Sequence, residues 1–256
     1  MRDNKRVLAI GAHPDDVEFK CSGTLSLLRK KGYEIAIVTV ANGDCGSTEF
    51  SAEKIAVMRK GEAAESAAIL GGRYICLDER DLMINFDERT RRKVVNAIRE
   101  IDPFIVVTHP HEDYMADHEI TSRLVRDACF GAPIPNYGAA GNLPHTAGIP
   151  YLFYWDAMEG LDYLGRPQPV HFYVDVTSEI DTKKKMLSCH RSQREWLLRQ
   201  HGLDHYVNSM VQWAEARGRE SGFRCAEAFC QHRGHAYPKD NVLASILGEG
   251  LVKAAT

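Results

Sequence analysis

Two short segments of the sequence concentrate side chains that bind metal ions. The first is His13-Pro14-Asp15-Asp16, and the second, much later in the chain, covers residues 109–118 with the sequence HPHEDYMADH. Imidazole and carboxylate groups together suit Zn²⁺ or another divalent transition metal. A catalytic zinc needs three protein ligands and one open position for water. His13, Asp16 and His118 can supply these three ligands.

The adjacent carboxylates Asp15 and Asp16 permit a division of labour at such a site. One carboxylate can bind the metal while the other accepts a proton from the bound water. Pro14 fixes its own φ and restricts His13, so the backbone is stiff where ligand geometry matters. Taken alone, either segment could equally cap a turn and the helix that follows it. The metal site is favoured because both segments follow apolar runs that are typical of buried strands.

Alternating strands and helices are predicted around these segments. In the first half of the chain, unbroken apolar runs predict buried strands, and apolar residues at helical spacing predict helices. This alternation favours an α/β fold with a parallel sheet wound by right-handed crossovers. The ligand site of such a sheet lies beyond the carboxyl ends of its strands. The predicted strands cover residues 7–12, 35–41, 74–77 and 104–108, and the predicted helices cover residues 22–31, 52–70, 89–101 and 119–130.

The second half of the chain gives a weaker pattern. Residues 131–150 are rich in glycine and proline, which predicts a loop that covers the site. Residues 151–155 and 171–176 are predicted strands. Ser178 and Asp181 resemble a capping box that begins a helix through residue 199, so we expect a helical C-terminal region over residues 178–256. The prediction is a single domain over residues 1–256.

Composition narrows the possible functions. The chain has 256 residues, a formal net charge of −3, 44% hydrophobic residues and 26% charged residues, as expected for a soluble globular protein. This mild acidity argues against nucleic acid as a partner, and no run approaches the ~18 apolar residues that a membrane helix needs. The seven cysteines are odd in number and contain no C-x-x-C pair. We therefore expect reduced thiols and a cytoplasmic protein.

Four motifs resemble those of the PIG-L/LmbE-type N-acetylglucosaminyl deacetylase family. They are residues 12–16, the helix of residues 59–71 with its Arg-x-x-Glu start and Leu-Gly end, the segment with Asp113 and Asp117-His118, and the His-x-Ser-Gln motif at residues 190–193. The resemblance covers most of the chain. It implies a Rossmann-like, doubly wound, mostly parallel sheet with helices on both faces.

The resemblance also implies an activity and a set of residues. It implies zinc held by His13, Asp16 and His118, with Asp15 as the general base. The expected reaction is hydrolysis of an N-acyl group, normally acetyl, from a small sugar-like substrate such as an N-acetylglucosamine derivative. Another divalent transition metal could replace zinc. We also expect the chain to form a homo-oligomer.

One residue departs from the family pattern. Many members carry a histidine three residues before the metal-binding histidine, where this chain has Met115. A thioether can neither donate a hydrogen bond to an oxyanion nor protonate a leaving amine. Candidate replacements are His190, His111, His109 and Tyr114. We favour His190, because it belongs to the His-x-Ser-Gln motif, although it could instead be a helix-packing residue.

Three further residues are assigned supporting roles. We expect Asp117 to orient a neighbouring histidine or the base from outside the ligand set. Arg59 and Asp81 are candidates for contacts with substrate hydroxyls. Arg59 could equally be a helix surface residue, and Asp81 could equally belong to a turn.

Two rival functions are compatible with the same sequence. One is a zinc amidase for a non-sugar amide, such as a thiol conjugate or a natural-product intermediate, with the loop of residues 131–150 shaping its pocket. The other is a catalytically silent module that binds a sugar or a nucleotide. Gly11 and Gly23 do not form a G-x-G-x-x-G turn, which counts against a dinucleotide.

Overall fold

Eight strands form one sheet in the computed structural model, which describes residues 4–137, 143–201 and 205–255. The strand order is β3-β2-β1-β4-β5-β7-β6-β8. The strands are β1 (Arg6–Gly11), β2 (Glu34–Ala41), β3 (Arg73–Glu79), β4 (Ile105–Thr108), β5 (Tyr151–Trp155), β6 (Phe172–Asp175), β7 (Ala226–Gln231) and β8 (Val252–Ala254).

The parallel half of the sheet positions the metal-binding segments. β1 lies in the middle of this half and pairs in parallel with β2 and with β4. Its register places Ile10 opposite Thr108, so the chain leaves β1 and β4 at the same edge of the sheet. β3 and β5 extend this half on either side, also in parallel. The predicted α/β fold with a mostly parallel sheet is confirmed.

The other half of the sheet is antiparallel. β7 pairs with β5 and β6, and β6 pairs with β8, all in antiparallel orientation. The prediction of a helical C-terminal region over residues 178–256 is therefore wrong in part, because β7 and β8 lie among its helices. Strand formation there depends on partners distant in the chain, and short segments of mixed polarity do not reveal such partners locally.

Helices connect the strands, and the boundaries of those in the first half lie within a few residues of the predicted ones. Within the described ranges, no helix combines the length and the apolar character needed to cross a bilayer. The helices are α1 (Asp16–Lys20), α2 (Ser22–Lys30), α3 (Ala52–Ile69), α4 (Glu88–Ile101), α5 (Ala116–Gly131), α6 (Ile180–Ser188), α7 (Arg191–His201), α8 (Tyr206–Ser221) and α9 (Val242–Leu247).

The single helix predicted over residues 178–199 is broken in two. A 3₁₀ turn at Thr177–Glu179 precedes α6, and Cys189 and His190 separate α6 from α7. Ser178 does not act as the predicted cap, since its hydroxyl donates a hydrogen bond to the carboxylate of Glu179. The break directs α7 across the carboxyl edge of the sheet, where its residues help to enclose the site.

The hydrophobic core lies on both faces of the sheet. Val7 and Ala9 of β1 belong to one apolar cluster together with Leu25 of α2. Leu8 and Ile10 belong to a second cluster that α4 and α5 cover. Because neighbouring residues of a strand point to opposite faces, an unbroken apolar run is buried on both sides. The expected covering of both faces by helices is confirmed.

Candidate active site

Three predicted metal ligands converge where β1 and β4 end. His13 and Asp16 follow β1, and His118 lies in the first turn of α5, which follows β4. The three side chains offer ligand atoms that all lie within 4.8 Å of one another. Oδ2 of Asp16 is 3.7 Å from Nδ1 of His13, and Oδ1 of Asp16 is 3.5 Å from Nε2 of His118. One cation could therefore contact all three.

Two buried carboxylates hold the far sides of the histidine rings. Nε2 of His13 lies 3.0 Å from Oδ2 of Asp117, which also accepts a hydrogen bond from the backbone N–H of Leu82. Nδ1 of His118 lies 3.1 Å from Oδ1 of Asp113. These contacts leave Nδ1 of His13 and Nε2 of His118 facing the shared centre, as in carboxylate–histidine–metal arrangements. Asp117 lies where its predicted orienting role requires, and Asp113 is a second carboxylate of this kind that sequence reasoning did not assign.

The electrostatics of the centre favour positive charge. Burial alone would lower the pKa of His13, but its hydrogen bonds to Asp117 and Asp16 outweigh this and raise it to about 10. Burial would raise the pKa of Asp16, but the His118 and His109 imidazoles hold it well below its usual value. The groups that stabilise a proton here would also stabilise a metal cation. Two imidazoles and a carboxylate therefore fit a divalent transition metal.

His109 contacts Asp16 and His118, two of the predicted metal ligands. Its Nε2 accepts a hydrogen bond from the backbone N–H of Ala12 at 2.9 Å and lies 3.0 Å from Oδ2 of Asp16. Its ring stacks on that of His118 with centroids 4.1 Å apart. Burial, together with the neighbouring His118, lowers the pKa of His109 to about 4, so the ring is neutral near pH 7. His109 is thus a packing partner of two predicted ligands.

Asp15 makes contacts different from those of its neighbour Asp16. Its Oδ2 accepts a 2.5 Å hydrogen bond from Oη of Tyr206 and lies 3.7 Å from a nitrogen of Arg59. Burial raises the pKa of Asp15, and the Arg59 guanidinium opposes this only in part. Asp15 adopts φ +109°, which is strained for a residue with a Cβ and is often found at functional sites. This geometry leaves Asp15 outside the ligand set, as a base requires.

A cavity of about 580 Å³ opens over this centre. This volume lies within the range of small-molecule sites. Its walls come from the segments that follow the parallel strands and from α1, α7 and α8. Four aromatic side chains contribute to the lining, together with the candidate ligands and base: Phe19, Tyr114, Trp196 and Tyr206.

Comparison with known proteins matches this architecture to one family. The model of the PIG-L family, described as GlcNAc-PI de-N-acetylase, matches residues 8–129, which contain both metal-binding segments. Over residues 8–129, the chain is similar to the PIG-L family. The resemblance that the sequence motifs predicted is therefore confirmed.

Individual relatives and solved structures are similar over most of the chain. Diacetylchitobiose deacetylase of Thermococcus kodakarensis is 29% identical over 75% of this chain and 71% of its own length. 4-Oxalmesaconate hydratase of Pseudomonas putida is 24% identical over 87% of this chain and 84% of its own length. The structure of N,N'-diacetylchitobiose deacetylase from Pyrococcus horikoshii superposes with a TM-score of 0.75, is 24% identical, and covers 94% of this chain and 90% of the other. That likeness shows the fold.

His190, the favoured replacement for the missing family histidine, does not line the cavity. It is fully buried at the break between α6 and α7, with its Nε2 3.2 Å from Oε1 of Glu18. Burial lowers the pKa of His190, but the charge of Glu18 outweighs this and raises it. The position of His190 therefore does not support direct proton transfer to a substrate. It supports packing of α1 against the α6–α7 break.

The other candidates for the missing family histidine differ in position. Met115 itself lines the cavity, so the thioether faces the place where the family histidine is expected. His111 does not line the cavity and packs against Tyr154 with ring centroids 4.3 Å apart. Tyr114 does line it, with its ring edge-on to that of His118 at 5.3 Å. Tyr114 is therefore the candidate that can reach a substrate.

The two predicted substrate contacts both lie in the cavity wall. Arg59 is 3% exposed and donates a 2.7 Å hydrogen bond to the carbonyl of Pro14, which ties α3 to the metal-binding segment. Asp81 accepts hydrogen bonds from the backbone N–H groups of Gly43 and Cys45. Neither residue is a free surface group, and their contact with substrate stays a prediction.

Residues of the predicted covering loop do not line the cavity where they are described. Residues 132–137 and 143–150 are absent from its walls, and residues 138–142 lie outside the described residues. The cover comes instead from Met158 and Glu159 and from α7 and α8. Sequence reasoning missed Trp196 and Tyr206, because a polar helical pattern gives no sign of which turn faces a distant site.

Proposed function

We propose that this protein is a zinc-dependent hydrolase that removes an N-acyl group, normally acetyl, from a small sugar-like substrate such as an N-acetylglucosamine derivative. The observation that carries the proposal is the separation of Asp15 from the His13, Asp16 and His118 centre at the wall of one cavity. The match of residues 8–129 to the PIG-L family supports it, as does similarity to a relative named diacetylchitobiose deacetylase.

Different residues at the site would have different roles in the reaction. His13, Asp16 and His118 would hold the metal, with Asp117 and Asp113 fixing the histidine rings. A bound divalent metal supplies Lewis acidity and makes a coordinated water acidic. Asp15 accepts the proton of the attacking water, and the hydrogen bond from Tyr206 holds its carboxylate in place.

The remaining cavity residues would bind the substrate and stabilise charge. Tyr114 is our candidate donor to the oxyanion, because it lines the cavity next to His118 and its phenol can donate a hydrogen bond. A single donor of this kind contributes about 3–4 kcal/mol in measured cases. Arg59 would contact substrate hydroxyls. Phe19 and Trp196 offer flat apolar faces to a sugar ring.

Two substitutions test the division of roles. Asp15→Asn should retain zinc but lose turnover by about 10²–10⁴-fold, because the amide cannot accept the proton. His13→Ala is the matched variant and should lose zinc as well. The measurements are metal content and acetate release over a panel that includes diacetylchitobiose and N-acetylglucosamine. Full turnover by Asp15→Asn would refute the proposed base.

A second candidate function is hydration of a carbon–carbon double bond. The relative named 4-oxalmesaconate hydratase aligns with more of this chain than the deacetylase relative does, 87% against 75%. Met115 also removes a histidine that the deacetylase reaction is expected to use. The two candidates differ in product, since deacetylation releases acetate and hydration consumes the absorbance of a conjugated unsaturated acid. Loss of this absorbance without release of acetate would favour hydration.

Two further expectations stay predictions. All seven cysteines are free thiols in the structure, which is compatible with the expected cytoplasmic location. The homo-oligomer can be checked by light scattering on the purified protein. A non-sugar amide substrate would be recognised in the same panel by release of an acid from amides other than N-acetylated sugars.

A further inference from the structure

Lys20 is a buried cation that the proposed mechanism does not use. It is the last residue of α1, lines the cavity and is 9% exposed. Its Nζ is buried and has no hydrogen-bond partner among the residues that the structure describes. Its Nζ lies 5.5 Å from the centroid of the Phe19 ring, and a cation–π contact of this kind offsets only part of the cost of removing an ammonium group from water. A lysine at this position therefore has a role other than stabilising the folded chain.

The helix places this charge beside the metal centre. Lys20 follows Asp16 by four residues on α1, and residues at this spacing lie on the same face one turn apart. Burial lowers the pKa of Lys20, while the negative charges of Asp156, Asp113 and Asp16 act in the opposite direction. The ammonium therefore lies in the electrostatic field of Asp16, a predicted ligand, and of Asp113, which pairs with the predicted ligand His118.

The neighbouring carboxylates are already committed to other donors. Both oxygens of Asp156 accept hydrogen bonds from Arg217, at 2.7 and 2.8 Å. Asp113 is paired with His118. The positive charge of Lys20 is thus not neutralised by a hydrogen-bonded ion pair of its own, and its field extends to the centre that these carboxylates surround.

We propose that Lys20 is a positioning residue whose ammonium charge tunes the metal centre. The charge opposes binding of the metal cation and adds positive potential where negative charge develops on the substrate. Met115 cannot contribute such a charge, and the guanidinium of Arg59 lies next to Asp15. The effect on turnover rests on the proposed function, whereas the effect on metal affinity does not.

The test compares Lys20→Met with the wild-type protein in three measurements. Metal-free Lys20→Met should melt a few degrees higher, because a buried charge that lacks a hydrogen-bond partner is gone. It should bind zinc about tenfold more tightly in a competition titration with a chromophoric chelator. A tenfold change in affinity has the same free energy as an interaction that shifts a pKa by about one unit. Its turnover of the best substrate should fall about tenfold through kcat rather than KM. Lys20→Gln should behave in the same way.

Two controls separate charge from packing. Lys20→Arg keeps the charge and should retain zinc affinity and kcat close to the wild-type values. Lys184→Met removes a partly exposed lysine of α6, which does not line the cavity, and should change none of the measurements.

Several results would overturn the inference. A lower melting temperature together with weaker zinc binding in Lys20→Met would mean that the lysine is structural, for example through a water in the void of about 10 Å³ bounded by Lys20 and Asp156. Unchanged zinc affinity in both neutral variants would also refute it. If the wild-type protein releases no acetate, the proposed function fails, while the melting and zinc titrations still decide the role of Lys20.

Discussion

Replacing Asp113 with asparagine should weaken metal binding without removing a metal ligand. Oδ1 of Asp113 lies 3.1 Å from Nδ1 of His118 and accepts a 2.8 Å hydrogen bond from the backbone N–H of Tyr114. The side chain is buried, so water does not replace these contacts. Asparagine keeps an oxygen of the same shape but loses the charge. The ring of His118 would then be held less firmly and would be a weaker electron donor.

The size of this effect follows from the two kinds of hydrogen bond. A bond to a charged acceptor contributes about 1.5–3 kcal/mol, against about 0.5–1.5 kcal/mol for a neutral one. The difference of about 1–2 kcal/mol corresponds to roughly 5–30-fold in Kd. Loss of the carboxylate charge near a divalent cation adds to this. The expected loss is therefore about 10–100-fold, the usual range for groups that orient a metal-binding histidine.

The assay is a zinc titration of metal-free protein against a chelator of known affinity. Asp127→Asn is the matched control, because Asp127 lies on α5, is partly exposed and pairs with Arg91. It should change the zinc Kd less than about twofold, as expected for a surface ion pair. A zinc Kd of Asp113→Asn within the same twofold would refute the orienting role. Asp117→Asn should act in the same direction through His13.

Two more predictions concern the buried ionic contacts beneath the cavity. Lys183 donates to Oε1 of Glu227 at 2.7 Å, so Lys183→Met should leave that carboxylate uncompensated and lower the free energy of unfolding by about 3–5 kcal/mol in urea denaturation. The exposed Lys185→Met is its control, and a loss below about 1 kcal/mol would contradict the reasoning. His190→Gln should lose most stability near pH 6 and progressively less at higher pH. Because the pKa of His190 is raised in the folded chain, its contribution to the free energy of unfolding is complete below pH 6.5, the ordinary pKa of histidine. This contribution is lost as the pH rises through the pKa of His190 in the folded chain. An equal loss of stability at pH 6 and pH 9 would contradict this reasoning.

The parallel half of the sheet could be predicted because its signal is local. Strands such as β1 and β2 are buried on both faces, so their sequences are continuous apolar runs that end abruptly at polar residues. The segment after such a run must emerge at the carboxyl edge of the sheet. That rule placed His13 and His118 at the same edge without knowledge of their distance. In the antiparallel half, the predicted strand at residues 171–176 corresponds to β6, but β7 and β8 gave no comparable signal, because they mix polar with apolar residues and their partners are remote in sequence.

The walls of the cavity could not be predicted for a related reason. α7 and α8 are polar helices that bring Trp196 and Tyr206 over the metal centre. Which turn of such a helix faces the site depends on the break at Cys189 and His190, and this break carries no proline or glycine. The sequence motif containing His190 resembled a family motif, but only the packing against Glu18 placed the imidazole outside the cavity.

The sequence by itself determined the chemistry available to this protein and the edge of the sheet where it gathers. Ligand types, their position after buried strands and the paired carboxylates at residues 15 and 16 are all local properties. The tertiary structure decided which groups share a centre, which carboxylate orients which histidine, and that Nζ of Lys20 finds no hydrogen-bond partner among the described residues. These outcomes depend on the approach of side chains from distant segments, since burial and electrostatic interactions are set by neighbours in space rather than in sequence.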